Sequence, residues 1–117
     1  IMNYLQLLNQ NIIYFYIDLF NSSDKSELKY STLFEIQNII KNDELYFVNI
    51  IKEHIYENYK NDILEENINV LEILDNVLVQ NFDLIKIYNK IKKKNKKIIW
   101  DYLKIFVVLY EKHYFTL

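Results

Sequence analysis

Two histidines are the side chains of this sequence best suited to bind a metal or move a proton. His54 lies three residues before Glu57, so on a helix both side chains would share one face, as two ligands of one metal can. A metal site needs further ligands, and the only other histidine, His113, is far away in the sequence. We therefore predict no metal site and interpret His54 as a partly exposed helical side chain near carboxylates.

Nucleophilic and phosphate-binding chemistry lacks the residues that it needs. A serine or threonine nucleophile requires a positioned base, and the few such residues, most of them between 22 and 32, have no distinctive setting. The pair Glu65 and Glu66 is typical of a solvated loop. Without glycine the chain cannot form a glycine-rich phosphate loop, and without cysteine it has no zinc–thiolate site. The sequence thus predicts no catalytic residue, no cofactor and no enzymatic activity.

Charge is distributed unevenly along the chain, although the net charge is only −2. Residues 43–75 contain nine acidic side chains and two lysines, whereas residues 86–104 contain eight lysines and one aspartate. The two segments complement each other electrostatically, either within one molecule or head-to-tail between molecules.

A lysine run gives the basic segment its highest charge density, and its members are Lys92, Lys93, Lys94, Lys96 and Lys97. Such a run can contact nucleic acid, an anionic lipid surface or an acidic protein. It contains neither arginine nor interleaved aromatic residues, which are common on nucleic-acid-binding surfaces. Nucleic-acid binding through this run is therefore the alternative function, and a solvated turn is the non-functional interpretation.

Aromatic residues make up 16% of the chain and are frequent in its last segment. Tyrosine and tryptophan are favoured at protein interfaces because each combines an apolar body with a polar tip. The candidate interface residues are Trp100, Tyr102, Phe106, Tyr110 and Tyr114. Their segment is apolar around much of its circumference, so it lies either at the centre of a bundle or against a partner. We expect a protein partner or a homo-oligomer.

Helices must position all of these residues. Apolar side chains recur every three to four positions, whereas the alternation typical of strands is rare and no Asn-Gly hairpin turn occurs. Predicted helices span about 3–20, 24–41, 44–60, 70–78, 81–91 and 95–114, with an irregular stretch at 61–67. We expect one domain, residues 1–117, folded as an all-α bundle of five to six helices. No apolar stretch reaches the roughly 18 residues of a membrane span, so we expect a soluble protein.

Five residue types are absent from the chain: Gly, Pro, Cys, Ala and Arg. They share no physical property that a fold would select against. Four of them depend on G/C-rich codons, whereas the abundant Ile, Asn, Lys, Tyr and Phe use A/T-rich ones. The composition therefore indicates a very AT-rich genome, such as that of a large DNA virus, an organelle, an apicomplexan or a reduced bacterium. Alanine has the highest intrinsic helix propensity, so its absence lowers the propensity of the whole chain. Tertiary burial must therefore stabilise the helices.

The sequence N-K-K-I-I-W-D-Y-L at 95–103, followed by L-Y-E-K-H-Y at 109–114, carries a resemblance. It resembles the ending of small uncharacterised helical proteins of nucleocytoplasmic large DNA viruses (giant viruses). The segment E-H-I-Y-E-N-Y at 53–59 resembles their middle part, with Tyr-Lys at 59–60 where Pro-Tyr is more usual. The resemblance covers about the latter half of the chain and implies a viral helical bundle without implying an activity.

We therefore expect a non-enzymatic structural or accessory viral protein that acts through an aromatic-rich helical surface, in the host cytoplasm or the virion. An organelle-encoded subunit of a larger complex is a further alternative. A viral helical decoy that blocks apoptosis is another, although the Gly-Arg element of such proteins is absent here.

Overall fold

Helices provide nearly all the regular structure in the computed structural model, which describes residues 2–22, 30–78 and 83–116. They are α1 (Tyr4–Ser22), α2 (Tyr30–Asn42), α3 (Tyr46–Ile51), α4 (Glu57–Leu64), α5 (Asn69–Ile73), α6 (Leu84–Lys90) and α7 (Lys96–Phe115). A π-helical turn, Lys52–Tyr56, joins α3 to α4 in one continuous helix, and a 3₁₀ turn, Lys93–Asn95, precedes α7. The described part of the chain thus contains six helices and no strand, which confirms the all-α bundle.

Helix α1 begins with a reciprocal cap. The backbone N–H of Gln6 donates to the side-chain oxygen of Asn3 at 2.8 Å. The backbone N–H of Asn3 donates to the side-chain oxygen of Gln6 at 3.0 Å. These bonds satisfy backbone donors near the start of the helix, where intrahelical partners are lacking. The predicted apolar stripe is buried along its whole length: Leu5, Leu8, Ile12, Phe15 and Leu19.

Helices α1 and α7 form the central antiparallel pair of the bundle. The Phe15 ring lies edge-on to Phe106 at a centroid distance of 5.6 Å and is 5.1 Å from the ring of Tyr102. At the other end of the pair, the Lys112 ammonium lies 5.5 Å from the Tyr4 ring centroid. Every labelled helix from α1 to α7 contributes buried side chains to the same apolar cluster around this pair.

The continuous helix from α3 to α4 is longer than predicted. Its apolar positions recur every four residues: Phe47, Ile51, Ile55, Tyr59 and Ile63. A regular α-helix has 3.6 residues per turn, so this spacing would rotate the apolar row by roughly 40° at each step. The wider π turn takes up part of that rotation and keeps both Ile55 and Ile63 buried. The irregular stretch predicted for 61–67 is therefore wrong for its first four residues, which are helical.

Glu66 ends α4 in a left-handed conformation, with φ of 56°. The Asn67 amide donates to the Asp62 carbonyl at 2.8 Å, and the Glu66 amide donates to the Ile63 carbonyl at 3.1 Å. This is the hydrogen-bond pattern of a Schellman motif, in which glycine usually occupies the left-handed position. The sequence contains no glycine, so a glutamate adopts this conformation despite the steric cost of its Cβ atom.

The short helices differ from their predicted bounds. α5 ends at Ile73 and not near 78, and turns follow it, including Asn76 at φ 61°. The Asp75 carboxylate accepts a hydrogen bond from the Ile85 amide at 3.0 Å and so caps the start of α6. The predicted helix starts at residues 24 and 81 both lie outside the described residues. None of the described helices has both the length and the apolar character needed to cross a membrane.

Candidate protein-interaction surface

Three of the five candidate interface aromatics, Trp100, Phe106 and Tyr110, are buried in the core. They lie on the side of α7 that faces α1, α3 and α4. Trp100 also packs edge-on against Tyr88 of α6, with ring centroids 6.2 Å apart. Burial within their own chain corrects the surface role predicted for these three side chains, because a partner cannot reach them in the folded protein.

Tyr102, another candidate, lies at the border between α7 and α1. Its ring is half-buried, and its hydroxyl donates a hydrogen bond to the Asp18 carboxylate. Burial of the ring, followed by the hydrogen bond and the charge of Asp18, raises the pKa of Tyr102 well above its usual range. This contact fixes α7 against α1 and leaves little of the ring for a partner.

Glu111 holds the opposite border of α7, against the π turn and α4. Its carboxylate accepts hydrogen bonds from the Tyr56 hydroxyl at 3.2 Å and from the Lys60 ammonium. The hydrogen bond from Lys60 is the main cause that lowers the pKa of Glu111. The Tyr56 ring also packs against Tyr110, with centroids 4.6 Å apart. Polar contacts therefore flank the buried side of α7 along both of its borders.

The side of α7 that points away from the bundle exposes apolar side chains. Ile105 is 37% exposed, Val108 46% and Phe115 76%. Together with two charged residues they form a row that we call the outer face: Asp101, Ile105, Val108, Lys112 and Phe115. The spacing of this row is four, three, four and three residues, which is the heptad spacing of a helix–helix seam. This heptad spacing is present in the sequence. The aromatic residues on the other side of the helix are the more prominent pattern, and the predicted interface is based on them.

Tyr114 is the one candidate interface residue that is fully on the surface of the described chain. Its ring stacks on Tyr110 at a centroid distance of 6.1 Å and meets Phe115 edge-on at 5.3 Å. It therefore continues the side of α7 that carries Tyr110, beyond the point where the bundle buries that side.

The lysine run divides into two parts. Lys97 forms an ion pair with Asp101 at 2.9 Å, and the Lys96 ammonium lies 4.8 Å from the Tyr88 ring centroid. Three further lysines are exposed and form no ion pair with any described residue: Lys92, Lys93 and Lys94. These three lysines are therefore accessible to an anionic partner without the loss of an ion pair within the described chain.

Lys104 joins the basic segment to the acidic segment within the molecule. The Lys104 ammonium lies 2.7 Å from the carboxylate of Glu66, the residue in the left-handed conformation at the end of α4. At this position the opposite charges of the two segments stabilise the packing of α4 against α7.

The histidines occupy separate surroundings. His54 is exposed, and its Nε2 atom lies 3.9 Å from the Glu53 carboxylate. His113 is half-buried near the start of α1, next to Asn3 and Leu5. Within residues 2–22, 30–78 and 83–116, no group of three or more His, Cys, Asp or Glu side chains could hold a metal ion.

A cleft of about 450 Å³ separates α1 from α2 and is lined by both polar and apolar side chains. Asn9, at its base, is buried, and its side-chain amide donates to the Glu44 carbonyl at 3.0 Å. This bond fixes the orientation of the amide and ties α1 to the loop between α2 and α3. Its role in the described structure is thus to position the N-terminal half of the bundle.

The chain matches no protein-family model, no curated protein and no solved structure. Its function must therefore be inferred from the side chains that its surface presents. Two sets stand out among the described residues: the outer face of α7 and the three exposed lysines at 92–94.

Proposed function

We propose that this chain is a non-enzymatic protein-interaction protein, with a structural or accessory role, that binds a helix through the outer face of α7. The carrying observation is that Ile105, Val108 and Phe115 are exposed on a helix whose opposite side is fully packed. Single exposed apolar residues are ordinary on a protein surface. A row at heptad spacing is different, because it can lie along a partner helix and remove its apolar area from water, at about 25 cal/mol per Å².

A role in a large DNA virus is part of this proposal, and the resemblance of residues 95–103 and 109–114 supports it. Both segments belong almost entirely to α7, so the resemblance and the outer face occur on the same helix. The neighbourhood of the gene in its genome tests this assignment. Genes of a large DNA virus on both sides would support it, whereas respiratory-chain genes on both sides would favour the organelle alternative.

Site-specific photo-crosslinking tests the proposed surface. A benzophenone amino acid is introduced in place of Val108, in cells of the native source, and in place of Ile73 as a control. Ile73 lies on α5 and is 49% exposed, close to the 46% of Val108, so chance collisions should be similar. We expect a discrete protein adduct from position 108 and none from position 73. Equal yields at both positions, or no adduct at 108, would refute the proposed surface.

Nucleic-acid binding is the second candidate function, and the exposure of Lys92, Lys93 and Lys94 is the observation in its favour. If they contact phosphates, the logarithm of the affinity should fall linearly with the logarithm of salt concentration, with a slope of about 0.9 per contact. Fluorescence polarisation with labelled duplex and single-stranded DNA measures this slope. Replacing the three lysines by glutamine should reduce it, whereas Lys52→Gln, an exposed lysine on the π turn, should not. Binding that is independent of salt would exclude this function.

A further inference from the structure

The outer face of α7 has the same pattern when it is followed from either end. Ile105 and Val108 occupy its middle, and Asp101 and Lys112 come next on the two sides. Phe115 follows at one end of the outer face, and Ile98, a half-buried residue three positions before Asp101, continues the row at the other end. From either end the row reads apolar, charged, apolar, apolar, charged, apolar. Its two charged residues have opposite signs.

We infer that the partner of the outer face is a second copy of this chain, packed with its α7 antiparallel; this inference rests on the proposed function and names the partner for that surface. Consider two antiparallel α7 helices whose two-fold axis passes midway between residues 106 and 107. In this register Ile105 lies opposite Val108 of the second copy. The same register places Ile98 opposite Phe115, and Asp101 opposite Lys112. Each pair occurs twice because a two-fold axis relates the copies, as in most homodimers.

Charge selects the antiparallel direction over the parallel one. In the antiparallel register both charged layers join Asp101 to Lys112. In the parallel register Asp101 would face Asp101 and Lys112 would face Lys112, so both layers would be repulsive. Charged residues at seam positions commonly specify the orientation of a helix pair in this way.

Both charged groups are accessible in the single chain. The Asp101 side chain is 48% exposed and is already 2.9 Å from the ammonium of Lys97. Lys112 is exposed and lies beside the ring of Tyr4. The second copy's ammonium would therefore join a carboxylate at the centre of a triplet with two lysines. Stable protein–protein interfaces bury at least about 1,200 Å² of accessible surface, and a single pair of helices buries less. The dimer should therefore form reversibly and at high protein concentration.

Charge reversal and mixing test this inference on the purified full chain by analytical ultracentrifugation. The wild type should show a monomer–dimer equilibrium. Asp101→Lys alone and Lys112→Asp alone should each weaken dimerisation by about tenfold or more, because each creates two like-charge layers. An equimolar mixture of the two variants should recover the wild-type affinity, because every replaced side chain then meets an unlike charge. Labelling one variant with a fluorophore identifies the heterodimer.

Two matched variants control for the change in net charge. Glu72→Lys and Lys52→Asp make the same changes at exposed positions on α5 and the π turn, and they should dimerise as the wild type does. Circular dichroism verifies that each variant is folded. A monomeric wild type, single reversals that dimerise normally, or a mixture no stronger than its components would each overturn the inference.

Disulfide formation tests the direction independently, since the chain has no native cysteine. Positions 98 and 115 are opposite each other in the antiparallel dimer, so a mixture of Ile98→Cys and Phe115→Cys should give a mixed disulfide. Two copies of either variant place their thiols about 25 Å apart at 1.5 Å per residue, too far to bond. If two Ile98→Cys chains form a disulfide with each other, and no mixed disulfide forms between Ile98→Cys and Phe115→Cys, the packing is parallel and the inference is overturned.

The two proposals can fail separately. If photo-crosslinking at position 108 captures a different protein and the wild type is monomeric, the interaction surface stands and the self-pairing is refuted. If position 108 yields no adduct with any protein, both are refuted.

Discussion

The two sides of α7 differ in what covers them. The inner side carries the large rings of Trp100, Phe106 and Tyr110, and the rest of the bundle buries all three. The outer face carries the smaller Ile105 and Val108, which remain partly exposed between two opposite charges. The described chain therefore packs α7 along its inner side only, and the proposed partner would cover the outer face.

The largest expected effect is the loss of an inner side chain. Phe106→Ala removes a fully buried ring that packs against Phe15 and should destabilise the fold by about 3–5 kcal/mol. Urea denaturation followed by circular dichroism measures this free energy. A loss below about 1 kcal/mol would mean that α7 does not bury this side, and the distinction between the two sides would fail.

Tyr102→Phe sharpens the comparison at the border with α1, and should cost about 1 kcal/mol by removing the hydrogen bond to Asp18. It should also change the response to alkaline pH. Because the folded state raises the pKa of Tyr102, the unfolded chain loses the proton first, near the ordinary tyrosine value of about 10. The stabilisation is complete below that pH and is lost as pH rises through the folded-state pKa.

Urea denaturation between pH 9 and pH 11 tests this sign. The stability of the wild type should fall more steeply over this range than that of Tyr102→Phe. Tyr46→Phe, at an exposed tyrosine on α3, serves as the control and should behave as the wild type does. Parallel curves for wild type and Tyr102→Phe would show that burial at this border is weaker than the structure implies.

Glu111→Gln probes the border with α4 from the acidic side. Lys60 lowers the pKa of Glu111 in the folded state, so the contribution of this group is present above the unfolded-state pKa of about 4.3. It is lost as pH falls through the lower folded-state value. The stability difference between wild type and Glu111→Gln should therefore shrink as the solution is acidified below pH 4.3. A difference that stays constant during acid titration would argue against the Lys60 contact.

The smallest expected effect on folding is at the outer face. Val108→Ala should change the free energy of unfolding by less than about 0.5 kcal/mol when measured on dilute protein, because the side chain packs little within its own chain. The same substitution should weaken dimerisation. A loss comparable with that of Phe106→Ala would place Val108 in the core and remove the outer face as a distinct surface.

The regular helices could be predicted from apolar spacing alone. The α1 stripe from Leu5 to Leu19 is buried as expected, and α7 begins and ends within one residue of its predicted bounds. Helical period is sufficient for α1 and α7 because each of them buries one continuous stripe within the chain. The left-handed Glu66 could not be predicted, because the sequence has no glycine to mark the end of α4. The π turn cannot be predicted from the spacing, because apolar residues four positions apart are also compatible with an ordinary α-helix.

The candidate site was less predictable than the fold. Aromatic content identified α7 as important, but it could not determine which side of the helix meets α1. Burial assigns Trp100, Phe106 and Tyr110 to the core, while the outer face depends on the positions of two charges, Asp101 and Lys112. Those charges form a meaningful pair only after the three-dimensional structure shows that they share an exposed row.

Thiol accessibility measures the central claim most directly, because the native chain contains no cysteine. Val108→Cys and Ile73→Cys introduce single thiols at positions of similar exposure, one on the outer face and one on α5. We predict that both thiols react rapidly in dilute protein, and that only the thiol at position 108 becomes slower as the protein concentration rises. Equal labelling rates for the two thiols at every concentration would contradict the assignment of the outer face of α7 as the surface through which the chain pairs with itself.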